Sequence, residues 1–389
     1  MTQENYTFAK RFATWIGLAG LVFGAFCGGA TASGAYATTH FAKFGGGYML
    51  VFSAMFAIIM SIACILGLNV VKAYNVTNYN QFYMALYGLQ GENANPVLKK
   101  IVSVVFDFYT ILKGIAACAG ALALMGMLGK SMLGLNNMTG ALIAAILFAC
   151  LCVFGGSFLR RFNTAITVAL LVLMLVILGV VCSVKGDVLA SRLTDFQTGL
   201  DWSGVTLRAG FLGVFAYCMN TGAWGATLSS YSERLRDKKD IVGAGFTIGI
   251  VVTTLFVITS CIVLPYLPEE LNSTPILNII TTFGMPVLMV MYWIIILLSA
   301  ISTGPAYGFS ICARFEKIWK SEKVNIKVKR LVISGLYMLL CWFVSRMGLT
   351  KIVSLILGTT GTISCFIIWI PLFVAIPRIH KLRKQQKAA

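Results

Sequence analysis

Apolar residues fill this chain in long runs separated by short polar stretches. Ten runs approach or exceed the ~20 residues that cross a hydrocarbon core as helix: roughly 12–37, 46–71, 98–128, 138–157, 163–184, 207–230, 241–266, 280–313, 331–347 and 352–376. Their length and continuity argue against a β-barrel, whose strands would be short and alternating. The pattern predicts an all-α integral membrane protein of ten transmembrane helices, with 1–389 as a single domain and a basic tail at 377–389.

Four runs are interrupted at mid-membrane depth. Gly24–Gly34 and Gly213–Gly225 carry glycines and small polar residues, and a third run reads Ser299-Ala-Ile-Ser-Thr-Gly-Pro305. The fourth, Phe106–Leu128, holds Lys113, with Asp107 near its start as the other ionisable group. A charge in hydrocarbon is costly unless a cavity or partner solvates it. Broken helices that converge on a midplane cavity are the construction of a secondary transporter.

Each break has two readings. Gly24, Gly28, Gly29 and Gly34, with Thr31 and Ser33, weaken the first helix, since each Gly costs ~1 kcal/mol of helix preference relative to Ala. Local unwinding would free backbone groups to hold an anion or a cation; close helix packing would use the same small residues. In the sixth run, Tyr217, Asn220, Thr221 and Trp224 sit at the break, and the amide is expected to face the bundle interior. Ser299, Ser302 and Thr303 share one helical face. Their hydroxyls suit a hard cation, or bond back to their own helix. Pro305 removes a backbone donor just beyond. Lys113 reads as a fixed cation replacing a bound ion, a proton carrier, or an ion-pair partner. Asp107, six residues away, points to a different face.

Composition agrees with a membrane protein: 58% of residues are apolar and 11% charged, against about 25% charged in soluble domains. The net charge of +18 suggests nucleic acid until its distribution is followed. With the N-terminus inside and ten crossings, the stretches 10–11, 72–100, 160–161, 234–239, 314–330 and 378–387 hold 23 of the 31 Lys and Arg. The outer side holds 7, and the remaining one is Lys113. That asymmetry puts both termini in the cytoplasm, and the chain is expected in the inner membrane. The basic excess then speaks for topology and for anionic lipid, not nucleic acid. Lys10 and Arg11 before an apolar run, with Ala30-Thr-Ala32, imitate a cleavable signal, but no secreted domain follows. The 11 cysteines lie mostly within spans without CxxC spacing, and the two histidines, His40 and His380, lie near span ends, so neither disulfides nor a metal centre is expected.

The runs divide into halves, roughly 12–184 and 207–376, joined by an outer loop at 185–206. Gly24-Ala-Phe26 before Ser33-Gly-Ala35 is echoed by Gly213-Val-Phe215 before Thr221-Gly-Ala223. Five spans per half would make this an inverted 5+5 repeat with discontinuous first and sixth helices. Tyr74–Pro96 is aromatic and too polar to span, and is expected as a short helix at the inner interface. The outer loop Leu264–Pro275 reads as a cap over an entrance or as a plain surface loop.

Taken in order, Gly28-Gly-Ala-Thr-Ala-Ser-Gly34, Lys113-Gly-Ile-Ala-Ala-Cys-Ala-Gly-Ala121, Tyr217-Cys-Met-Asn220, Leu235-Arg-Asp-Lys-Lys-Asp-Ile241 with Gly243, and Ser302-Thr303 with Gly304 and Arg314 resemble the YkvI-type bacterial membrane proteins. These belong to the amino acid–polyamine–organocation group, whose fold is similar to that of the leucine transporter. The resemblance runs loosely over most of the chain. It implies a symporter of a small amino acid, zwitterion or organic anion, coupled to Na⁺ or H⁺, without a cofactor and not an enzyme. It implies substrate contacts at Ala32, Ser33 and Gly34, with Tyr217 and Asn220 across the cavity. It implies a sodium site from the carbonyls of Gly28, Thr31 and Ser299 and the hydroxyls of Ser302 and Thr303. From their own positions, Thr221 and Lys113 join the substrate group. Ala35 departs from the Asn often found at a second ion site, and Ala35-Tyr36 replaces a Gln-Glu pair common in the YkvI type. The other readings are a non-transporting sensor and a channel-like protein; no filter-like segment is visible for the latter.

Overall fold

The computed structural model describes residues 8–388 except 27, 92, 155, 220–227, 230–234, 272–273, 320–323, 349–351 and 353–357. Every apolar run carries helix in its described part. In chain order the helices are α1 (Phe8–Phe26), α2 (Gly29–Ala32), α3 (Gly46–Tyr74), α4 (Tyr79–Leu86), α5 (Pro96–Leu133), α6 (Asn137–Val153), α7 (Gly156–Leu193), α8 (Thr198–Ser203), α9 (Leu207–Met219), α10 (Lys238–Val263), α11 (Pro275–Phe283), α12 (Pro286–Ile318), α13 (Ile326–Ser345), α14 (Gly358–Ser364) and α15 (Ile370–Ala388). A π-helical turn joins α14 to α15. Among the described residues, seven helices are long and apolar enough to cross a membrane, and α6 and α9 are shorter apolar helices. Ile58, Phe108 and Leu336 are more than half exposed, as side chains facing lipid would be. The chain is a multi-pass membrane protein.

Polar residues at the run ends start the helices. Asn95 accepts from the backbone of Val97 and Leu98 ahead of Pro96, Asn136 accepts from Met138, and Asp237 accepts from Asp240 at 2.9 Å. These caps satisfy N–H groups that helix geometry leaves without partners. Several elements depart from the run boundaries. The eighth run, read as 280–313, is divided: Gly284 in the left-handed region (φ 60°) ends α11, and Pro286 starts α12. Helix α7 continues past 184 to Leu193, bending at Lys185. The basic tail is helical through α15. Helix α4 forms as expected, but its aromatic face is buried, with Tyr83 stacked on Phe106 of α5 at 3.7 Å.

Two packing clusters organise the bundle. The larger includes α1, α3, α9 and α10. Helix α10 lies close along α3, where Gly245 and Gly249 sit against Ser61 and Ile65. The smaller cluster joins α5, α6, α12 and α13 through Ala116, Phe148, Ala300 and Met338. Helix α7 packs on both α1 and α12.

Candidate functional site

The first helix is interrupted where its glycines predict. Helix α1 stops at Phe26 and α2 resumes at Gly29. The short α2 turn is held by Thr31 and Ala32, whose N–H groups donate to the Gly28 carbonyl at 2.9 and 3.2 Å. Gly34 then takes φ +85°, which a side chain would strain, and turns the chain out of the break. Pro275 and Ile276 of α11 seat on this glycine, and the Ile276 N–H donates to the Ser33 carbonyl at 3.4 Å. The start of α11 therefore packs directly on Ser33 and Gly34.

Helix α12 faces the break. Thr303 Oγ1 donates to the Gly24 carbonyl at 2.8 Å. A Cβ on Gly28 would lie 2.9 Å from the same hydroxyl, so Thr303 sits between Gly24 and Gly28. A Cβ on Gly24 would meet Ser302 Oγ and come within 2.6 Å of Asn163 Nδ2, which α7 supplies. Three helices thus bring a carbonyl, two hydroxyls and an amide to one point. Ser302 Oγ, both polar atoms of Asn163 and Thr31 Oγ1 are buried without a hydrogen-bond partner among the described residues. Leaving such a group unsatisfied costs about 1–3 kcal/mol, so several together mark a place built to receive a polar ligand. Ser299 behaves differently: it is fully buried, and its hydroxyl donates to the Ile296 carbonyl at 2.9 Å on its own helix.

Of the residues assigned to an ion in sequence, Gly28, Ser302 and Thr303 are brought together. The carbonyls of Gly28 and Thr31 already accept backbone bonds of the α2 turn, from Thr31 and Ala32 and from Gly34. The carbonyl that meets Thr303 is Gly24's, one turn earlier. Gly24 and Asn163 join this group in the structure. Asn163 carries the same signal as Asn220, an amide in an apolar run, but lies next to Arg160-Arg161, where it reads as a span boundary.

Lys113 lies on the buried side of α5 and is 5% exposed, so its charge does not reach lipid or solvent along the helix. One turn before it, Tyr109 donates to the Thr360 carbonyl of α14 at 3.2 Å. The next residue, Gly114, leaves room for the ring ends of Tyr337 and Tyr307. Asp107 is engaged elsewhere. It accepts both Nε and Nη2 of Arg314 from α12, at 3.0 and 2.8 Å, and the Tyr79 hydroxyl at 2.9 Å.

Ala32 is 1% exposed and Ser33 fully buried on the break. Tyr217 enters an aromatic cluster: it stacks on His40 at 4.1 Å and contacts Tyr36, Phe41, Phe56 and Phe256. Asn220 and Thr221, with Trp224, lie outside the described residues.

One ionic contact holds α1 at its far end. Arg11 Nη1 pairs with Asp237 at 2.9 Å and Asp240 at 3.0 Å, and Trp15 Nε1 donates to Asp240 at 3.3 Å. Trp15 rests on Gly243 of α10. The hydrogen bond from Arg11 holds the Asp237 carboxyl below its usual range.

No protein-family model matches the sequence, and no curated protein matches it. Solved structures do match. MhsT, crystallised in complex with L-phenylalanine, aligns over 90% of this chain and 87% of its own, with TM-score 0.66 and 14% identity. The Eremococcus coleocola manganese transporter, in complex with an aromatic bis-isothiourea compound, aligns over 98% and 80%, with TM-score 0.63 and 12% identity. This chain has their fold. Mhp1, a nucleobase-cation-symport-1 family transporter with bromovinylhydantoin bound, aligns over 89% and 77%, with TM-score 0.52 and 14% identity. At these identities the likeness is one of fold.

Proposed function

We propose that the chain is a secondary active transporter of a small amino acid or related zwitterion or organic anion, coupled to Na⁺ or H⁺. The observation that carries this reading is the junction of the broken first helix with Ser302, Thr303 and Asn163, where several buried polar atoms have no hydrogen-bond partner among the described residues. Oxygen donors from hydroxyl, carbonyl and amide groups suit a hard cation such as Na⁺. In this reading the ion is held by Gly24 or Gly28, Thr31, Ser302, Thr303 and Asn163, with Ser299 supplying its carbonyl. Substrate occupies the adjoining space around Ala32–Gly34, Lys113 and Tyr217, together with Asn220 and Thr221.

The fold alone does not choose the cargo: the names of the three similar structures speak of an amino acid, manganese and a hydantoin. The donor set favours an organic solute. Among the described residues no three His, Cys, Asp or Glu are grouped as a divalent-metal site, whereas hydroxyls, an amide and a buried lysine are the means by which a zwitterion or anion is held. The functional reading is therefore transport, not catalysis. Ten spans in two inverted halves, both termini in the cytoplasm, residence in the inner membrane and membership of the YkvI type complete it, supported by the charge asymmetry and the order of the motifs.

Reconstituted protein in liposomes tests this directly. Accumulation of a labelled amino acid should require an imposed Na⁺ or proton gradient and disappear with Ser302→Ala/Thr303→Ala. Binding without gradient-driven accumulation across an amino-acid and organic-acid panel would favour the sensor and overturn the transporter.

A further inference from the structure

A cavity of about 240 Å³ lies away from the helix break, between the end of α3, the start of α10 and α15. Its lining is of two kinds: Leu66, Leu372, Ile376 and Ile379 are aliphatic, and Lys238, Arg383 and Lys384 bring three cations, with His380 beside them. Arg383 is aimed by Asn69: its Nη2 donates to Asn69 Oδ1 at 2.8 Å, and Asn69 Nδ2 is itself anchored on the Ile65 carbonyl at 2.8 Å. No carboxylate lines the cavity among the described residues. The acids flanking Lys238, Asp237 and Asp240, are occupied by Arg11.

The helix lines that enter this cavity continue as exposed apolar side chains. On α3, Ile62 and Ile58 lie one and two turns from Leu66. On α10, Val242 and Phe246 lie one and two turns from Lys238, and on α15 Phe373 precedes Ile376. Because α3 ends, α10 starts and α15 ends here, their basic or polar termini share one level and their apolar lengths run away from it together. A free inorganic anion would use the cations and leave the aliphatic walls idle; a phospholipid uses both.

We propose that this cavity binds the anionic headgroup of a phospholipid, with Lys238, Arg383 and Lys384 on the phosphate and the acyl chains along α3, α10 and α15. Basic pockets between transmembrane helices on the cytoplasmic side are suited to such headgroups, and Arg offers the phosphate a two-pronged donor. The lipid would fasten α15 to the α3–α10 pair, which Asn69 and Arg383 already join. The site is independent of the cargo and of the coupling ion.

The test uses the full chain in phosphatidylcholine nanodiscs carrying traces of spin-labelled phosphatidylglycerol or spin-labelled phosphatidylcholine. The wild type should immobilise the anionic label in preference to the neutral one. Each basic residue near the headgroup contributes about fivefold, so Lys238→Gln/Arg383→Gln/Lys384→Gln should weaken retention about a hundredfold. Lys99→Gln/Lys100→Gln, a basic pair elsewhere on the chain, should leave it unchanged. If the triple variant fails to fold, Lys238→Gln and Lys384→Gln singly, both at exposed side chains, should each lose about fivefold. Equal retention of the two labels, or equal loss in the Lys99/Lys100 variant, would overturn the site. Displacement of the label by millimolar inorganic phosphate would overturn the lipid and leave a free-anion site.

Discussion

Gly24→Ala puts one methyl group into the junction of α1, α7 and α12. Its carbon would meet Ser302 Oγ and lie 2.6 Å from Asn163 Nδ2 and 2.9 Å from Asn163 Cγ. Both residues are buried, at 1% and 0% exposure, so the overlap cannot be relieved into solvent. The atoms met are ends of short side chains, which can rotate, so the cost is that of ordinary overpacking, about 1–3 kcal/mol. Rotation carries the two orphaned groups away from the Gly24 carbonyl and Thr303, and the oxygen set no longer closes on a cation. In the wild type, Na⁺ at a hundred times its Kd should stabilise the folded state by about 2.7 kcal/mol. Thermal unfolding of purified protein in matched Na⁺ and choline salts reads both effects. Gly24→Ala should unfold earlier in choline and lose most of the sodium increment. Gly243→Ala, which crowds Trp15 instead, should also unfold earlier but keep the increment. A Gly24→Ala protein with its full increment would refute a cation at this junction, and a wild type without one would refute sodium.

Asp107→Ala leaves the guanidinium of Arg314 without its carboxylate. With both side chains about one-fifth exposed, the loss should fall between the exposed and buried limits, about 1–3 kcal/mol, and adding Arg314→Ala should recover part of it in chemical denaturation. Lys113→Met should give a folded protein with lost or uncoupled transport in liposomes. Lys113→Arg should fail as well if the lysine must release a proton, and normal transport and pH dependence in Lys113→Met would remove the residue from the mechanism. The Arg11–Asp237 contact depresses a carboxylate, so its contribution is present above the ordinary carboxylate pKa of about 4 and is lost as pH falls below that toward the lowered folded value. Trp15 fluorescence, read against Trp15→Phe, should therefore hold steady from about pH 8 to 5 and change only in stronger acid. A cysteine placed at Asp187 should react with an impermeant reagent from outside and one at Lys384 should not; the reverse pattern would refute the ten-span topology.

The positions of the helices were legible because hydropathy reports which side chains can face lipid, and every apolar run carries helix. The ends of the elements were less so. Gly284 and Pro286 divide an apolar stretch by backbone conformation, which a hydropathy pattern does not register. Helix α4 looked interfacial because its aromatics are amphipathic, and only the facing Phe106 reveals that they are buried. The break in the first helix was readable from its glycines, and Ser302 and Thr303 from their shared face. Their partners were not, because Thr303 meets Gly24 across 279 positions of sequence. Asp107 and Arg314 are 207 positions apart. Neither spacing leaves a local pattern; each depends on which helices become neighbours.

The placement of the junction bears on how coupling would work in the proposed transporter. Gly24 belongs to a helix whose neighbours Leu18, Val22 and Phe23 are packed in the larger cluster. Ser302 and Thr303 follow Ala300, which is packed in the smaller one, on a helix whose earlier residues Leu288, Tyr292 and Ile296 pack in the larger. Asn163 comes from α7, which touches both α1 and α12. A cation held by these three helices takes ligands from both α1 and α12, so any movement that separates α1 from α12 strips it of part of its shell. Its affinity then differs between the joined and separated arrangements, and only such a difference lets an ion shift a conformational equilibrium. The Arg11 contact with Asp237 and Asp240 lies wholly on the larger-cluster side, between α1 and α10. It can hold the first half of α1 to α10 while α1 and α12 part, which leaves the junction at Gly24, rather than the salt bridge, as the place where ion binding would be felt.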